Sequence, residues 1–319
     1  MKKLITMALV LALCAVAFAG CARQNEVDDD GKISVVTTIF APYDFARAIA
    51  GDAANITMLL SPGSESHSFE PTPQDIIKIQ KCDVFIHVGG ESDEWVRSVL
   101  ASMDTSNMKI VTMMDCVETF EEEIVEGMQD DHDHDEDHDH EEAHEYDEHV
   151  WTSPRNAKLI VRKIADALCA VDADNAEIYN QNTRDYQTKL DALDAEFRAV
   201  VAAATRKTIV FGDRFPFRYL AQAYGLSYFA AFPGCSTESE ASAATVSFLI
   251  DKIKDEGIPV IFHVELSNQK MANTISEATG AKVCLLHACH NIARDEFQSG
   301  RTYLDIMTAN VATLKEALG

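Results

Sequence analysis

The sequence predicts an α/β protein of two lobes, each with a mainly parallel sheet flanked by helices, joined by one long rigid linker helix. Short β-rich apolar runs alternate with amphipathic helical stretches on both sides of the middle of the chain. Between them, residues 174–205 contain neither Pro nor Gly. A length of 319 residues with 47% hydrophobic content is enough for two cores.

In the first half, predicted strands and helices follow one another at the spacing of a parallel sheet. One helix start is especially clear, because Thr72 is a good cap, Pro73 suits the first turn and Asp75 stands three residues after the cap. The predicted strands are 33–38, 56–60, 84–88 and 110–113, and the predicted helices are 42–50, 74–80 and 94–103.

The middle of the chain predicts two helices, the first starting at Ser153-Pro154 and ending near residue 170. In the second, apolar residues recur at alternating spacings of three and four, which predicts a narrow apolar stripe on a helix about 45 Å long. A coiled-coil dimer would need more heptads, so a spine lying across both lobes is favoured.

The alternation then restarts, so the second half has the architecture of the first. The predicted domains are an N-terminal lobe at 32–172, a linker helix at 173–206 and a C-terminal lobe at 207–319. The predicted strands are 208–211, 226–229, 260–264 and 283–286, and the helices are 216–224, 243–256, 270–279 and 302–318.

The amino terminus has the pattern of an export signal. Two lysines precede an apolar run at 4–18, which ends in Ala19-Gly20-Cys21. The run is shorter than the ~20 residues of a membrane-spanning helix. We expect residues 1–20 to be a lipoprotein signal peptide, Cys21 to be lipidated and residues 21–31 to be a tether. The mature chain would then be extracytoplasmic and held at the cell membrane by lipid alone.

Charge is concentrated in one segment. The net charge is −25, and residues 118–148 hold 17 carboxylates with no Lys or Arg. This acidity argues against nucleic-acid binding and favours the binding of cations. The segment is predicted to be a disordered loop over about 118–147. Histidines among the acids indicate loose capture of divalent transition metals, a feature that a plain acidic linker does not explain. They are His132, His134, His138, His140 and His144.

Six cysteines follow Cys21, and none forms a Cys-x-x-Cys pair. Because an exported protein permits disulfides, we hypothesise a bridge between Cys235 and Cys289, which both lie in turn-like stretches. Buried free thiols are the alternative.

Two histidines lie in ordered contexts. His67 stands in Ser-His-Ser-Phe-Glu-Pro-Thr-Pro after a predicted strand, where open α/β sheets bind ligands. His149 stands in His-Val-Trp-Thr-Ser-Pro, just before a helix start. With the acidic His-rich loop and the long helix, these motifs resemble the metal-specific solute-binding lipoproteins of bacterial ABC transporters, above all the zinc-uptake branch. The resemblance implies one metal ion in the cleft between the lobes, with His67 and His149 as the ligands from the N-terminal lobe.

The second half departs from that family's pattern. Where the family offers a His or Glu after the strand that follows the linker, this chain has Phe-Gly-Asp-Arg-Phe-Pro-Phe, with Asp213 as the nearest candidate. Where a late carboxylate is expected, it has Leu-His-Ala-Cys-His-Asn. His287 is preferred there over His290 because it leaves the strand first. Glu265 is a further candidate, as a ligand or as a carboxylate orienting a ligand imidazole.

Imidazoles with a carboxylate form a nitrogen-rich set that favours Zn²⁺ over Mn²⁺. The predicted function is capture of zinc and its delivery to the permease and ATPase of an ABC importer, by a monomer that is not an enzyme. A manganese-specific protein of the same family and a surface metal buffer or adhesin are the alternatives. A zinc hydrolase is less favoured, because neither His-Glu-x-x-His nor Gly-x-Ser-x-Gly occurs.

Overall fold

The computed structural model describes residues 31–65, 69–128, 145–236 and 240–319. Within them, residues Ile33–Gly319 form one compact unit that contains two four-stranded sheets. His67, Cys21 and the five histidines of the acidic segment lie outside the described residues. In the part of the chain that the structure describes, no helix is long and apolar enough to cross a membrane.

The first sheet has the strand order β2-β1-β3-β4, with every pair parallel. Of its central strands, β3 is buried along its whole length and β1 along its last three residues, as is typical of a parallel sheet covered on both faces. In this order the loops after β1 and β3 leave the same edge in opposite directions, which is where such sheets bind ligands. The strands are β1 Ile33–Thr37, β2 Ala54–Met58, β3 Val84–His87 and β4 Lys109–Thr112, and the helices are α1 Phe40–Ala50, α2 Pro73–Lys81 and α3 Glu94–Ala101.

The second sheet repeats this order as β6-β5-β7-β8, again with every pair parallel. The two lobes therefore have the same architecture, as predicted. The strand β5 extends past the predicted end at residue 211, with a register shift before Arg214. The strands are β5 Thr208–Arg214, β6 Ser227–Phe232, β7 Val260–His263 and β8 Lys282–Leu285, and the helices are α6 Arg218–Tyr224, α7 Ala243–Glu256, α8 Lys270–Thr279, α9 Arg294–Gln298 and α10 Tyr303–Leu318.

Two helices connect the sheets, α4 Pro154–Val171 and α5 Ala176–Ala203. The second has 28 residues and spans about 42 Å at 1.5 Å per residue. It packs against α1 and α4 from the first half of the chain and against α10 from the second, as expected of the predicted spine. Its buried stripe consists of Tyr179, Thr183, Tyr186, Leu190, Leu193, Phe197 and Val201.

The predicted disulfide is wrong, because Cys235 and Cys289 are both free thiols. The two cysteines do not pair because they lie in different surroundings. The main-chain N–H of Cys235 donates to Glu122 Oε1 at 3.0 Å, in a region rich in carboxylates. The Cys289 thiol is fully buried, 3.9 Å from the carbonyl oxygen of His287. Burial raises the pKa of both thiols well above its ordinary value, so both favour the neutral form.

Candidate metal centre

A carboxylate holds His149 from behind. This histidine is fully buried and precedes the short turn Val150–Thr152. Asp147 Oδ1 accepts a hydrogen bond from the main-chain N–H of His149 at 2.8 Å and lies 2.9 Å from its Nδ1. Burial alone would lower the pKa of His149, but the charge of Asp147 raises it above its ordinary value. A carboxylate at Nδ1 makes Nε2 the nitrogen that would bind a metal.

Asp147 is itself positioned from the second half of the chain. The buried Tyr219 hydroxyl donates to the carbonyl oxygen of Asp147 at 2.7 Å and accepts from the main-chain N–H of Phe120 at 3.2 Å. The two ends of the acidic segment, residues 118–148, also pair directly in an antiparallel bridge between Glu121 and Tyr146. The two ends of the acidic segment therefore help to fix His149.

Glu265 plays the equivalent part in the second half. Its Oε1 accepts from the main-chain N–H of His290 at 2.9 Å and lies 3.5 Å from His290 Nδ1. Its Oε2 accepts from the main-chain N–H of Ala288 at 2.6 Å. Burial would raise the pKa of Glu265, but His287, His290 and Ala288 together hold that pKa well below its ordinary range. The carboxylate thus stays charged and orients His290, one of the two roles predicted for it.

The structure brings His149 and His290 together. Their ring centroids are 4.6 Å apart and their planes meet at 77°. Trp151 packs against His290 with centroids 5.0 Å apart. Burial, with the positive charges of His149 and Arg214 nearby, lowers the pKa of His290 and so favours the neutral imidazole that binds metal. Two imidazoles from opposite halves therefore meet, each with a carboxylate behind its Nδ1.

His287, which the sequence favoured over His290, also lies near Glu265, with its Nδ1 3.5 Å from Oε2. It lines a separate depression beside Lys282 and Arg301. Its Nδ1 accepts the main-chain N–H of Cys289 at 3.0 Å. The reason is the backbone: Cys289 has a φ of +63°, a left-handed conformation that few non-glycine residues adopt. That turn directs His290, rather than His287, toward His149.

The carboxylate of Asp213 accepts hydrogen bonds from the backbone. Its Oδ1 accepts from the main-chain N–H of Arg214 at 2.9 Å, and its Oδ2 accepts from Val264 at 3.4 Å. The described residues that line the cavity beside His290 do not include it. Asp213 therefore joins the ends of β5 and β7 instead of facing the cavity.

Asp147, Tyr219 and Gly234 support the site and were missed from the sequence. A Cβ atom at Gly234 would lie 3.0 Å from His149 Cε1 and 2.9 Å from the carbonyl oxygen of Phe215, so only glycine lets this turn approach the ring. The Asp-x-His spacing of Asp147 and His149 was the one available signal, but it lay within a segment already dense in acids.

The donor set fits a borderline metal ion. Neutral imidazoles held at Nδ1 by carboxylates are common zinc ligands. No group of three or more His, Cys, Asp or Glu side chains arranged to hold a metal occurs within residues 31–65, 69–128, 145–236 and 240–319. The described part of the centre is thus the pair formed by His149 and His290, whereas His67 lies outside the described residues.

Comparison with known proteins identifies the family of the chain. The family described as ZnuA, zinc-uptake complex component A, periplasmic, matches residues 35–317. This chain belongs to the ZnuA family. Membership confirms the predicted resemblance to the zinc-uptake branch.

The chain is similar to two curated relatives over nearly all of its length. The chain is 34% identical over 311 residues to the zinc-binding lipoprotein AdcA of Streptococcus pneumoniae serotype 4 (strain ATCC BAA-334 / TIGR4), covering 97% of this chain and 60% of the relative. It is 33% identical over 313 residues to the high-affinity zinc uptake system protein ZnuA of Bacillus subtilis (strain 168), covering 97% and 96%. This ZnuA family chain thus spans only about three fifths of the length of AdcA.

Solved structures confirm the fold. The Zn(II)-bound ZnuA-like domain of Streptococcus pneumoniae AdcA matches with a TM-score of 0.74 and 30% identity, over 90% of this chain and 99% of that one. The metal-dependent lipoprotein YcdH of Bacillus subtilis matches with a TM-score of 0.75 and 31% identity, over 90% and 99%. The ZnuA family fold is thus the two-lobed α/β architecture predicted from the sequence.

Proposed function

We propose that this chain captures Zn²⁺ through Nε2 of His149 and His290, with His67 as a further ligand, and delivers it to an ABC importer. The observation that carries the proposal is the contact between two imidazoles from opposite halves, each with a carboxylate near its Nδ1. One cation bound to both would join the two lobes, giving the importer a loaded form to recognise. The importer's permease and ATPase are the partners implied by membership of an uptake complex.

Zinc suits the site better than manganese. The described donors are imidazole nitrogens, and the carboxylates behind them are occupied by hydrogen bonds. Nitrogen-rich sites of low coordination number favour Zn²⁺, whereas Mn²⁺ prefers more oxygen donors. The curated relatives are named for zinc binding or zinc uptake, which supports the same choice.

Calorimetry on metal-stripped protein tests this function. We expect one tight Zn²⁺ site and weaker binding of Mn²⁺. Replacing His67, His149 or His290 with Ala should weaken zinc binding by at least about 100-fold, as expected from loss of a direct ligand. H287A serves as the matched control and should weaken it far less. Equal losses for H287A and H290A would contradict the proposed ligand set.

A loop deletion separates a transport receptor from a surface metal buffer. The ends of the acidic segment are part of the site's support, because Arg218 pairs with Glu123 at 2.6 Å and Tyr219 holds Asp147. The deletion should therefore remove only residues 129–144, with a Gly-Ser linker in their place. We expect the tight site to survive. Loss of nearly all zinc binding would favour the buffer.

The finer features of localisation belong to the same proposal. We propose that Cys21 carries the lipid, that the chain is extracytoplasmic and that it acts as a monomer. C21A should shift the protein from the membrane fraction to the soluble fraction, and light scattering of the mature chain should give the mass of one copy. A C21A variant that stays with membranes would contradict the lipid anchor.

A further inference from the structure

Arg214 lies at the edge of the cavity beside His290. The cavity has a volume of about 20 Å³, room for one water-sized particle. Glu65, Arg214, Glu265 and His290 all line it. A guanidinium, two carboxylates and a proposed zinc ligand thus share one small space.

Three carboxylates near this cavity, Glu265, Asp213 and Glu65, already interact with other groups of the protein. Glu265 accepts from two main-chain N–H groups and faces two imidazoles. Asp213 accepts from the main-chain N–H groups of Arg214 and Val264. Glu65 faces Arg214, with both of its oxygens 3.4 Å from the guanidinium nitrogens. The side chain of Glu65 is 44% exposed and lies on the loop that leads toward His67.

Arg214 is fixed where it can hold Glu65. Its Nη1 donates to the carbonyl oxygen of Ser236 at 3.1 Å, and its side chain is only 18% exposed. The planar guanidinium presents a two-pronged face that matches a carboxylate. Glu65 is therefore the more exposed partner of the pair, and Arg214 is the more buried one.

We propose that Arg214 is a specificity-determining residue, which excludes the carboxylate of Glu65 from the metal and so keeps the site rich in nitrogen. The proposal rests on the function proposed above. With Arg214 present, a cation in the cavity finds imidazole nitrogens and a nearby positive charge. Without it, Glu65 can turn toward the cation, adding an oxygen donor and a negative charge. Extra oxygen ligands favour Mn²⁺ relative to Zn²⁺.

The experiment measures Zn²⁺ and Mn²⁺ affinities of the metal-stripped mature protein by competition calorimetry. The variants are R214Q, E65Q, R214Q/E65Q and R214K, with R155Q as a control that removes a distant arginine paired with Asp194. R214Q should raise the Mn²⁺ affinity relative to Zn²⁺ by roughly threefold to fivefold, the size an exposed ion pair supports. The double variant should return to the wild-type ratio, and R155Q should not change it.

R214K keeps the charge but loses the two-pronged contact, so its ratio should lie between those of the wild type and R214Q. An unchanged ratio in R214Q, or an equal rise in R214Q/E65Q, would overturn the proposal. If R214Q does not fold, R214K and E65Q still decide it, since E65Q should leave the ratio at the wild-type value. Failure of the wild type to bind zinc would instead refute the proposed function.

Discussion

At the scale of single residues, two carboxylate–imidazole pairs define the candidate centre. Asp147 stands behind His149, and Glu265 stands behind His290. In both pairs the acid also accepts the main-chain N–H of its histidine, so side chain and backbone are fixed by one group. Such support commonly changes metal affinity by 10- to 100-fold when it is removed.

D147N should weaken zinc binding by about 10- to 100-fold, because an amide neither fixes the Nδ1–H tautomer nor supplies negative charge to the imidazole. D213N is the matched control, since Asp213 faces the main-chain N–H groups of Arg214 and Val264. Calorimetry on both variants checks this. An equal effect of D147N and D213N would show that the Asp147 contact has no special part in metal binding.

Zinc affinity should fall as the pH drops, and the fall should begin above pH 6.5. Asp147 raises the pKa of His149 above that ordinary value, so the metal-free protein still holds the proton there and zinc must displace it. A single displaced proton gives about a tenfold loss per pH unit below the raised pKa. Calorimetry between about pH 7.5 and 5.5 measures the slope. Affinity independent of pH over this range would argue against binding through His149.

The sequence indicated His149 and both candidates in the loop after β8, residues 286–293, but it favoured His287, whereas the structure places His290 against His149. Distance from the strand end favoured His287, whereas the left-handed turn at Cys289 decides which ring reaches His149. A cysteine with positive φ follows no local sequence rule, because its conformation is imposed by tertiary packing. Likewise, Asp213 was chosen for its position, whereas its partners were set by the register shift in β5.

At the scale of secondary-structure elements, helix α2 follows the loop that leads away from His67. It begins with a capping box: Thr72 Oγ1 accepts from the main-chain N–H of Asp75 at 3.3 Å, and Asp75 Oδ2 accepts from that of Thr72 at 3.0 Å. This confirms the helix start predicted from Thr72, Pro73 and Asp75. Local rules worked here because every partner lies within four residues.

T72A should lower the free energy of unfolding by about 1 kcal/mol, the usual value of a cap. T188A is the matched control in the exposed interior of α5, where Ala is the better helix former and little should change.

Hydrogen bonds to Lys78 and Thr72 lower the pKa of Asp75 despite its burial. The contribution of Asp75 is therefore complete above about pH 4 and is lost as the pH falls through its lowered value. Urea unfolding at two pH values measures both effects, and a neutral T72A would contradict the assignment.

In the whole molecule, the loop after β8, residues 286–293, joins the two halves of the chain without metal. The carbonyl oxygen of His290 accepts from the main-chain N–H of Phe40 at 2.9 Å. The Asn291 side chain donates to the carbonyl oxygens of Ser61 and Ser64, both at 2.7 Å. Trp151 Nε1 donates to the carbonyl oxygen of Ala288 at 2.6 Å. With the spine α5, these contacts oppose wide opening of the cleft.

Zinc should therefore change the overall size of the protein very little. A compact chain of this length has a radius of gyration of about 20 Å, and we expect metal-free and zinc-loaded protein to agree within about 0.5 Å. Small-angle scattering on both forms measures this, with metal-stripped H149A plus zinc as the control. A decrease of more than about 1 Å on loading would indicate a large closure.

Most of the fold could be predicted because it depends on periodicity. The alternation of strands and helices predicted the two parallel sheets, and the apolar stripe on residues 176–203 predicted the spine. The connections between lobes could not be predicted, because Asn291, Tyr219 and Gly234 act on residues far away in sequence. The disulfide failed for the same reason, since turn-like sequence says nothing about which thiols meet.

In the proposed centre, His149 and His290 bind one zinc ion together. Anomalous diffraction at the zinc edge, from crystals of the loaded protein, tests it most directly. We expect a single strong peak at about 2.0–2.1 Å from Nε2 of both residues. A peak bound to His287 instead, or a peak that touches only one of His149 and His290, would contradict it.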